Sequence, residues 1–197
     1  MNEIFENEDK KLFFREGKIT YLRPLLKTDI RPEYLAWLNN PELNINSAHF
    51  RAWPTNENDI DDFFNNGQKD NSNIVFAACC KKTGEHFGNL SLNNIDWISR
   101  TAAQNANVGI KKFRAIHYFD CVNTILDYAF NTLNLNKITG GAEDPRTIDF
   151  MKRFGYKEEG VLKQQVYRDG EFRDLYLIGG LKEDYLLKQN KNKKKKI

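Results

Sequence analysis

Apolar and polar positions change their period along the chain, and each change marks an element. Residues 18–25, KITYLRPL, alternate around Ile19, Tyr21 and Leu25, which predicts a first strand ended near Pro24. Thr28 and Asp29 stand as N-cap residues before a helix through Tyr34, Leu35 and Leu38, stopped at Asn39-Asn40-Pro41. Residues 42–55 have no clean period and read as a structured loop. A second helix opens at Thr55 or Asn56, sets Ile60, Phe63 and Phe64 on one face and ends at Gly67.

The next run, 73–80, is continuously apolar, as in a central strand covered on both faces. Residues 81–84 turn it into a returning strand, 85–92, and 101–110 is the third strand of an antiparallel meander. Val122, Ile125, Leu126, Ala129 and Phe130 recur at helical spacing within a helix over 115–132. A strand follows over 137–143. Asp144 then caps a helix with Pro145 at its first position, and Gly155 closes it. Strands 156–167 and 173–181 meet at Asp169-Gly170, a hairpin signal. The order β-α-α-β-β-β-α-β-α-β-β predicts an α/β (α+β) domain with a mixed sheet covered by helices.

Composition bounds this picture. The 197 residues, 40% hydrophobic and 29% charged, suit one globular domain. We divide them into a polar extension over 1–17, a domain over 18–187 and a lysine-rich tail over 188–197. The net charge of +3 depends on five lysines in the last seven residues, Lys191 and Lys193 to Lys196. Without them the chain is close to neutral, so no nucleic-acid partner is expected. The tail itself reads as solvated, or as a weak anionic-surface or localisation element. No apolar run reaches the length of about 18 residues that a membrane span needs. Residues 1–11 are polar and acidic and form no secretory signal, so a cytoplasmic location is expected. Cys79, Cys80 and Cys121 fit neither a disulfide framework nor a zinc site. They read as free thiols, with a reactive Cys121 near a helix start as the alternative.

Three ordered stretches resemble the GNAT acetyltransferase superfamily, in its ribosomal-protein-alanine and amino-sugar branch. They are YLRPLLKTDIRPEYLAWLNNPEL from Tyr21, FGNLSLNNIDWISRTA from Phe87, and the span from Ile125 to Tyr185 that ends in VYRDGEFRDLYLIGGLKEDY. The resemblance implies the GNAT fold: about seven mostly antiparallel strands, helices on both faces, and strands four and five splayed apart. It implies acetyl-CoA as co-substrate, with pantetheine pairing along the fourth strand, here 105–110. Asn107, Val108, Gly109 and Ile110 would then hold the pantetheine. Arg114, Ala115, Ile116, His117 and Tyr118 would face the pyrophosphate at a helix N-terminus. A primary amine would attack the thioester directly in a ternary complex.

Four positions depart from the family's pattern. The pyrophosphate loop is KKFRAIHYFD, 111–120, with none of the glycines that let backbone approach phosphates; Phe113, Ile116 and Tyr118 bring bulk instead. Ala103 or Gln104 stands where relatives carry a glutamate base. In the fourth helix, Asp144 replaces the usual asparagine, and Met151 replaces the tyrosine that protonates the leaving thiolate. Thr139-Gly140-Gly141 puts two glycines on the fifth strand, a mark of close backbone approach or a bulge. The catalytic candidates left are Asp144 and His117, and no metal site is expected. Trp37, Trp53 and Trp97 read as packing residues rather than substrate platforms.

The leading function is acetyl transfer to an amino sugar, a polyamine or a protein N-terminus, with 44–53 and the hairpin around 167–173 shaping the acceptor site. Two alternatives stand beside it. One is a non-catalytic GNAT-fold protein with lost or altered acetyl-CoA binding, and the other an enzyme using a different donor in the same cleft. A homodimer is the assembly considered.

Overall fold

The computed structural model describes residues 13–44, 52–64 and 71–194. Its strands are β1 (Arg15–Glu16), β2 (Thr20–Pro24), β3 (Ile74–Cys80), β4 (His86–Asp96), β5 (Thr101–Val108), β6 (Lys137–Ala142), β7 (Lys157–Arg168) and β8 (Glu171–Leu181). The helices are α1 (Pro32–Leu38), α2 (Glu57–Asp62), α3 (Ile116–Asp127), α4 (Pro145–Lys152) and α5 (Lys182–Lys194). The strand order is β1-β2-β3-β4-β5-β6-β8-β7, mixed and mostly antiparallel. The count exceeds the expected seven by one, because Arg15 and Glu16 pair with Leu22 and Tyr21. The parallel pairing of β5 with β6 covers three residues and ends at Ala103↔Thr139. This early end agrees with the separation expected of those strands.

Contacts gather the described residues into two compact units. The first holds the chain up to Asn93 together with Asn105–Tyr128. Successive strand residues face opposite sides, and the two sides of β2 and β3 take different helices. Tyr21, Ala77 and Cys79 pack with Tyr34 and Leu38 of α1 and Ile60 of α2. On the opposite side, Phe76 meets Tyr128 at the end of α3, with ring centroids 5.8 Å apart. Asp120 ties α3 to β2: its carboxylate accepts from the N–H groups of Lys18, Ile19 and Thr20 and from the Thr20 hydroxyl.

The second unit comprises Asn94–Gln104 and the described chain from Ala129 onward. Its hairpin turns at Asp169 and Gly170 with φ of 55° and 85°, the two left-handed residues that a tight hairpin requires. The β6–β8 ladder runs without a break from Lys137↔Leu181 to Ala142↔Tyr176. The paired glycines of β6 therefore mark no bulge. They lie under Ile178 and Leu175 of β8.

Several boundaries differ from the sequence reading. The first helix starts at Pro32 with Arg31 as N-cap, not at Thr28 or Asp29. Residues Lys27–Asp29 form a 3-10 turn instead, whose Asp29 carboxylate accepts from Leu26 N–H at 2.9 Å. The long helix is α-helical to Asp127 and π-helical over Tyr128–Thr132. Lys182–Lys194 is a helix that the apolar pattern did not announce, since Lys, Gln and Leu favour helix without building an apolar face. Gly67 and residues 45–51, half of the segment 42–55 read as a loop, lie outside the described residues.

Candidate functional site

β5 ends against α1. At Gly109 a Cβ would run into the indole of Trp37, so only glycine lets the chain leave the strand on this path. A 3-10 turn, Lys111–Phe113, follows, and α3 then opens at Ile116 behind Ala115, with no side-chain cap and no acid in its first turn. Such a helix start leaves backbone N–H groups unpaired within the helix, at the positive end of its dipole. Lys111, Arg114 and Ala115 are exposed around it. The group of residues fits an anion by charge and by donors, although no glycine is present.

The bulk noted in this loop goes to different places. Phe113 is buried, stacked on Phe87 at 4.6 Å and edge-on to His117 at 4.7 Å. Ile116 instead stands 72% exposed. Burial pushes the Tyr118 phenol up to about 12. His117 packs against these rings, with Nε2 3.8 Å from Cys80 Sγ. Arg114 folds back on the strand end, Nε donating to Val108 O at 3.1 Å and Nη2 to Gly109 O at 3.4 Å.

Asp144 lies in the second unit. Its carboxylate accepts from Arg146 N–H at 2.9 Å and pairs with the Arg146 guanidinium. The side-chain bond from Arg146, then its backbone N–H, hold Asp144 below the ordinary carboxylate range. Met151 is buried on α4. In the same unit the buried Tyr156 donates its hydroxyl to Gln104 Oε1 at 3.3 Å. Cys121 is buried too, and burial raises its thiol to about 12, which removes the basis for a reactive thiolate.

The first unit contains a cavity of about 640 Å³. Leu38, Ile60 and Phe63 supply apolar wall, and Tyr34, Asn89 and Asn107 supply polar wall. Two hydrogen-bond chains fix those polar groups. Asn44 Nδ2 donates to the carbonyls of Trp37, Leu38 and Asn40 at the end of α1, so its Oδ1 is turned to accept from Asn107 Nδ2 at 2.8 Å. Among the described residues Asn107 Oδ1 is left buried without a partner.

The second chain begins at a buried ion pair. Arg23 donates twice to Asp29, at 2.6 Å each. His86 Nδ1 stands 3.6 Å from Asp29 Oδ1, while Nε2 lies 2.9 Å from Gly88 O and 3.0 Å from Asn89 Oδ1. A carbonyl can only accept, so Nε2 carries the hydrogen. Asn89 Nδ2 then donates to Tyr34 Oη at 2.6 Å. Burial by itself raises Asp29, but the bonds from Arg23 and Leu26 and the nearby charges bring it below the usual range. Burial lowers His86 against the pull of Asp29, and raises Tyr34 to about 12. The phenol is neutral and its hydrogen is uncommitted among the described residues.

Sequence reasoning placed Asn107 on this strand but missed Tyr34, Asn89 and the His86–Asp29 pair behind them. One signal was available. Asn89, Ser91 and Asn93 on β4, and Asn105 and Asn107 on β5, alternate with less polar residues, which puts polar side chains on one face of two strands.

Comparison with known proteins adds the following. The family model of the acetyltransferase (GNAT) domain matches residues 20–157. The uncharacterized N-acetyltransferase p20 of Bacillus licheniformis is 28% identical over 112 residues, 56% of this chain. That match spans 63% of the relative's length, less than two thirds of it. Spermidine N(1)-acetyltransferase of Vibrio cholerae is 26% identical over 167 residues, 84% of this chain and 94% of that protein. The crystal structure of spermidine N-acetyltransferase from Vibrio cholerae in complex with CoA and spermine superposes with a TM-score of 0.76 at 23% identity, covering 86% of this chain and 99% of the other.

Proposed function

The chain belongs to the GNAT acetyltransferase family, and on that premise we propose that it transfers an acetyl group from acetyl-CoA to a primary amine in a ternary complex. One observation carries the reading. The uncapped start of α3 and the cavity adjoin the same strand, β5, within one unit. A donor laid along the end of β5 and an acceptor in the cavity would therefore meet at Asn105 and Asn107.

Each residue has a defined task in this reading. The backbone of residues 107–110 pairs with pantetheine, and N–H groups of residues 115–118 receive the pyrophosphate. Arg114 must leave the carbonyls of Val108 and Gly109 for that pairing, and its guanidinium is then free to meet phosphate. Acetyl-CoA supplies the thioester; the amine nitrogen bonds its carbonyl carbon, and the C–S bond breaks. Ala103 and Gln104 are no bases, and the bonds from Arg146 make Asp144 a weaker base than an ordinary carboxylate, so water takes the amine proton and returns one to the thiolate. The acetyltransferases of spermidine among the relatives put polyamines in the acceptor panel, beside amino sugars and protein N-termini. Tyr167 and Phe172, 61% and 64% exposed at the hairpin tip, support a homodimer, to be read by light scattering.

The test is calorimetric titration with acetyl-CoA and CoA, joined to an assay of thiol release with a panel of amines. Micromolar binding and amine-dependent release are expected. No binding at millimolar ligand would overturn the reading in favour of a non-catalytic GNAT-fold protein, which the glycine-free loop and Met151 favour.

A further inference from the structure

Among the described residues lining the cavity, Thr55 Oγ1 has no partner and can either donate or accept, and two further open groups are of fixed and opposite kind. Asn107 Oδ1 is an acceptor whose direction is set by Asn44, itself held by three carbonyls of α1. Tyr34 O–H is a donor whose oxygen is already engaged by Asn89, itself held by His86. Neither can reverse its role without breaking a chain of bonds behind it. A buried acceptor without a partner is unfavourable until something donates to it.

We propose that Tyr34 and Asn107 form the recognition pair for the acceptor, and that this acceptor is a hydroxylated amine of the amino-sugar kind rather than a polyamine. Asn107 Oδ1 takes an N–H of the amine beside the strand end. Tyr34 donates to a hydroxyl oxygen of the same molecule, and the remaining amides serve both donors and acceptors on a ring of hydroxyls. A polyamine offers several ammonium groups and no oxygen, so Tyr34 would have nothing to donate to. Its charges would also need carboxylates. Among the described lining residues the single carboxylate is Asp59, and it is engaged by Asn56 N–H at 2.8 Å in the α2 cap. The apolar wall of Leu38, Ile60 and Phe63 suits the face of a sugar ring.

This rests on the transfer reading for its purpose but is tested without it. Glucosamine and spermidine are titrated into the full chain by calorimetry, with no acyl donor, for the wild type, Tyr34→Phe and Asn107→Ala. Glucosamine is expected to bind the wild type more tightly than spermidine, and each substitution to weaken it about tenfold, the scale of one lost hydrogen bond. Tyr34→Phe keeps the buried ring, so it decides the matter even where Asn107→Ala unfolds. Spermidine binding as tightly as glucosamine, no binding of either, or Tyr34→Phe matching the wild type would each overturn the proposal. Glucosamine binding with no thiol release from acetyl-CoA would sink the transfer reading and leave the pair standing. Turnover of spermidine that Tyr34→Phe does not change would do the reverse.

Discussion

His86 sets how the protein answers to acid. Its Nε2 hydrogen is committed to Gly88 O and Asn89, and its Nδ1 faces a carboxylate that Arg23 already occupies twice. Burial lowers its pKa from the ordinary imidazole value of 6.5. The unfolded chain therefore binds this proton more readily than the folded one. The contribution to stability is complete above 6.5 and is lost as pH falls through the folded value. Asp29 is also depressed, but from 3.8, so its share is lost in a separate and more acid window. Urea midpoints are accordingly expected to fall between pH 7 and pH 5 in the wild type and to change less in His86→Gln. Equal slopes in the two proteins would show that another group governs the response. Asp120 offers a second test at this scale. Its removal strands three backbone N–H groups of residues 18–20, and Asp120→Ala is expected to lower the unfolding free energy by about 3 kcal/mol in urea titration.

Elements were legible where a local rule fixed them. Asp144 before Pro145, Asn56 as one of the two caps offered for the second helix, and Asp169-Gly170 all took the cap or turn that their chemistry demands. The reading failed where a distant partner intervened. Asp29 resembles a helix cap, yet Arg23 and Leu26 claim its oxygens and Pro32 starts the helix instead. In the loop before α3, no period distinguishes Phe113 turned inward from Phe113 filling a phosphate site, because Phe87, the ring that receives it, is 26 residues away. The cavity was hidden for the same reason. The polar alternation of β4 and β5 is visible, but the bond from Asn89 to Tyr34 crosses 55 residues. The loop now yields its own prediction. If Arg114 meets phosphate, Arg114→Ala weakens CoA about tenfold. Pantetheine, which lacks the pyrophosphate, is not weakened, because the substitution frees Val108 O and Gly109 O. Calorimetry with both ligands separates this from a general loss of the site, which would weaken them alike.

Across the whole molecule, neither compact unit is a continuous piece of chain. β4 leaves the first unit at Asn93, and β5 re-enters it at Asn105. Two strands are thus each divided between units with no linker, and unfolding one unit removes the anchored end of a strand that belongs partly to the other. A single cooperative transition follows. Tryptophan fluorescence weights the first unit, which holds Trp37 and Trp53 of the three tryptophans, whereas far-UV circular dichroism follows all the helices and strands. Their urea midpoints are expected to coincide, and two separated midpoints would show independent units. The same topology predicts the fate of a fragment. Residues 129–197 contain β6, α4, the β7–β8 hairpin and α5, but lack 101–103, which pair with residues 137–139 of β6. The fragment exposes that strand edge and the apolar side chains near it, among them the buried Ile138. Expressed alone, it should show a disordered far-UV spectrum, and a folded spectrum with a cooperative melt would overturn the account.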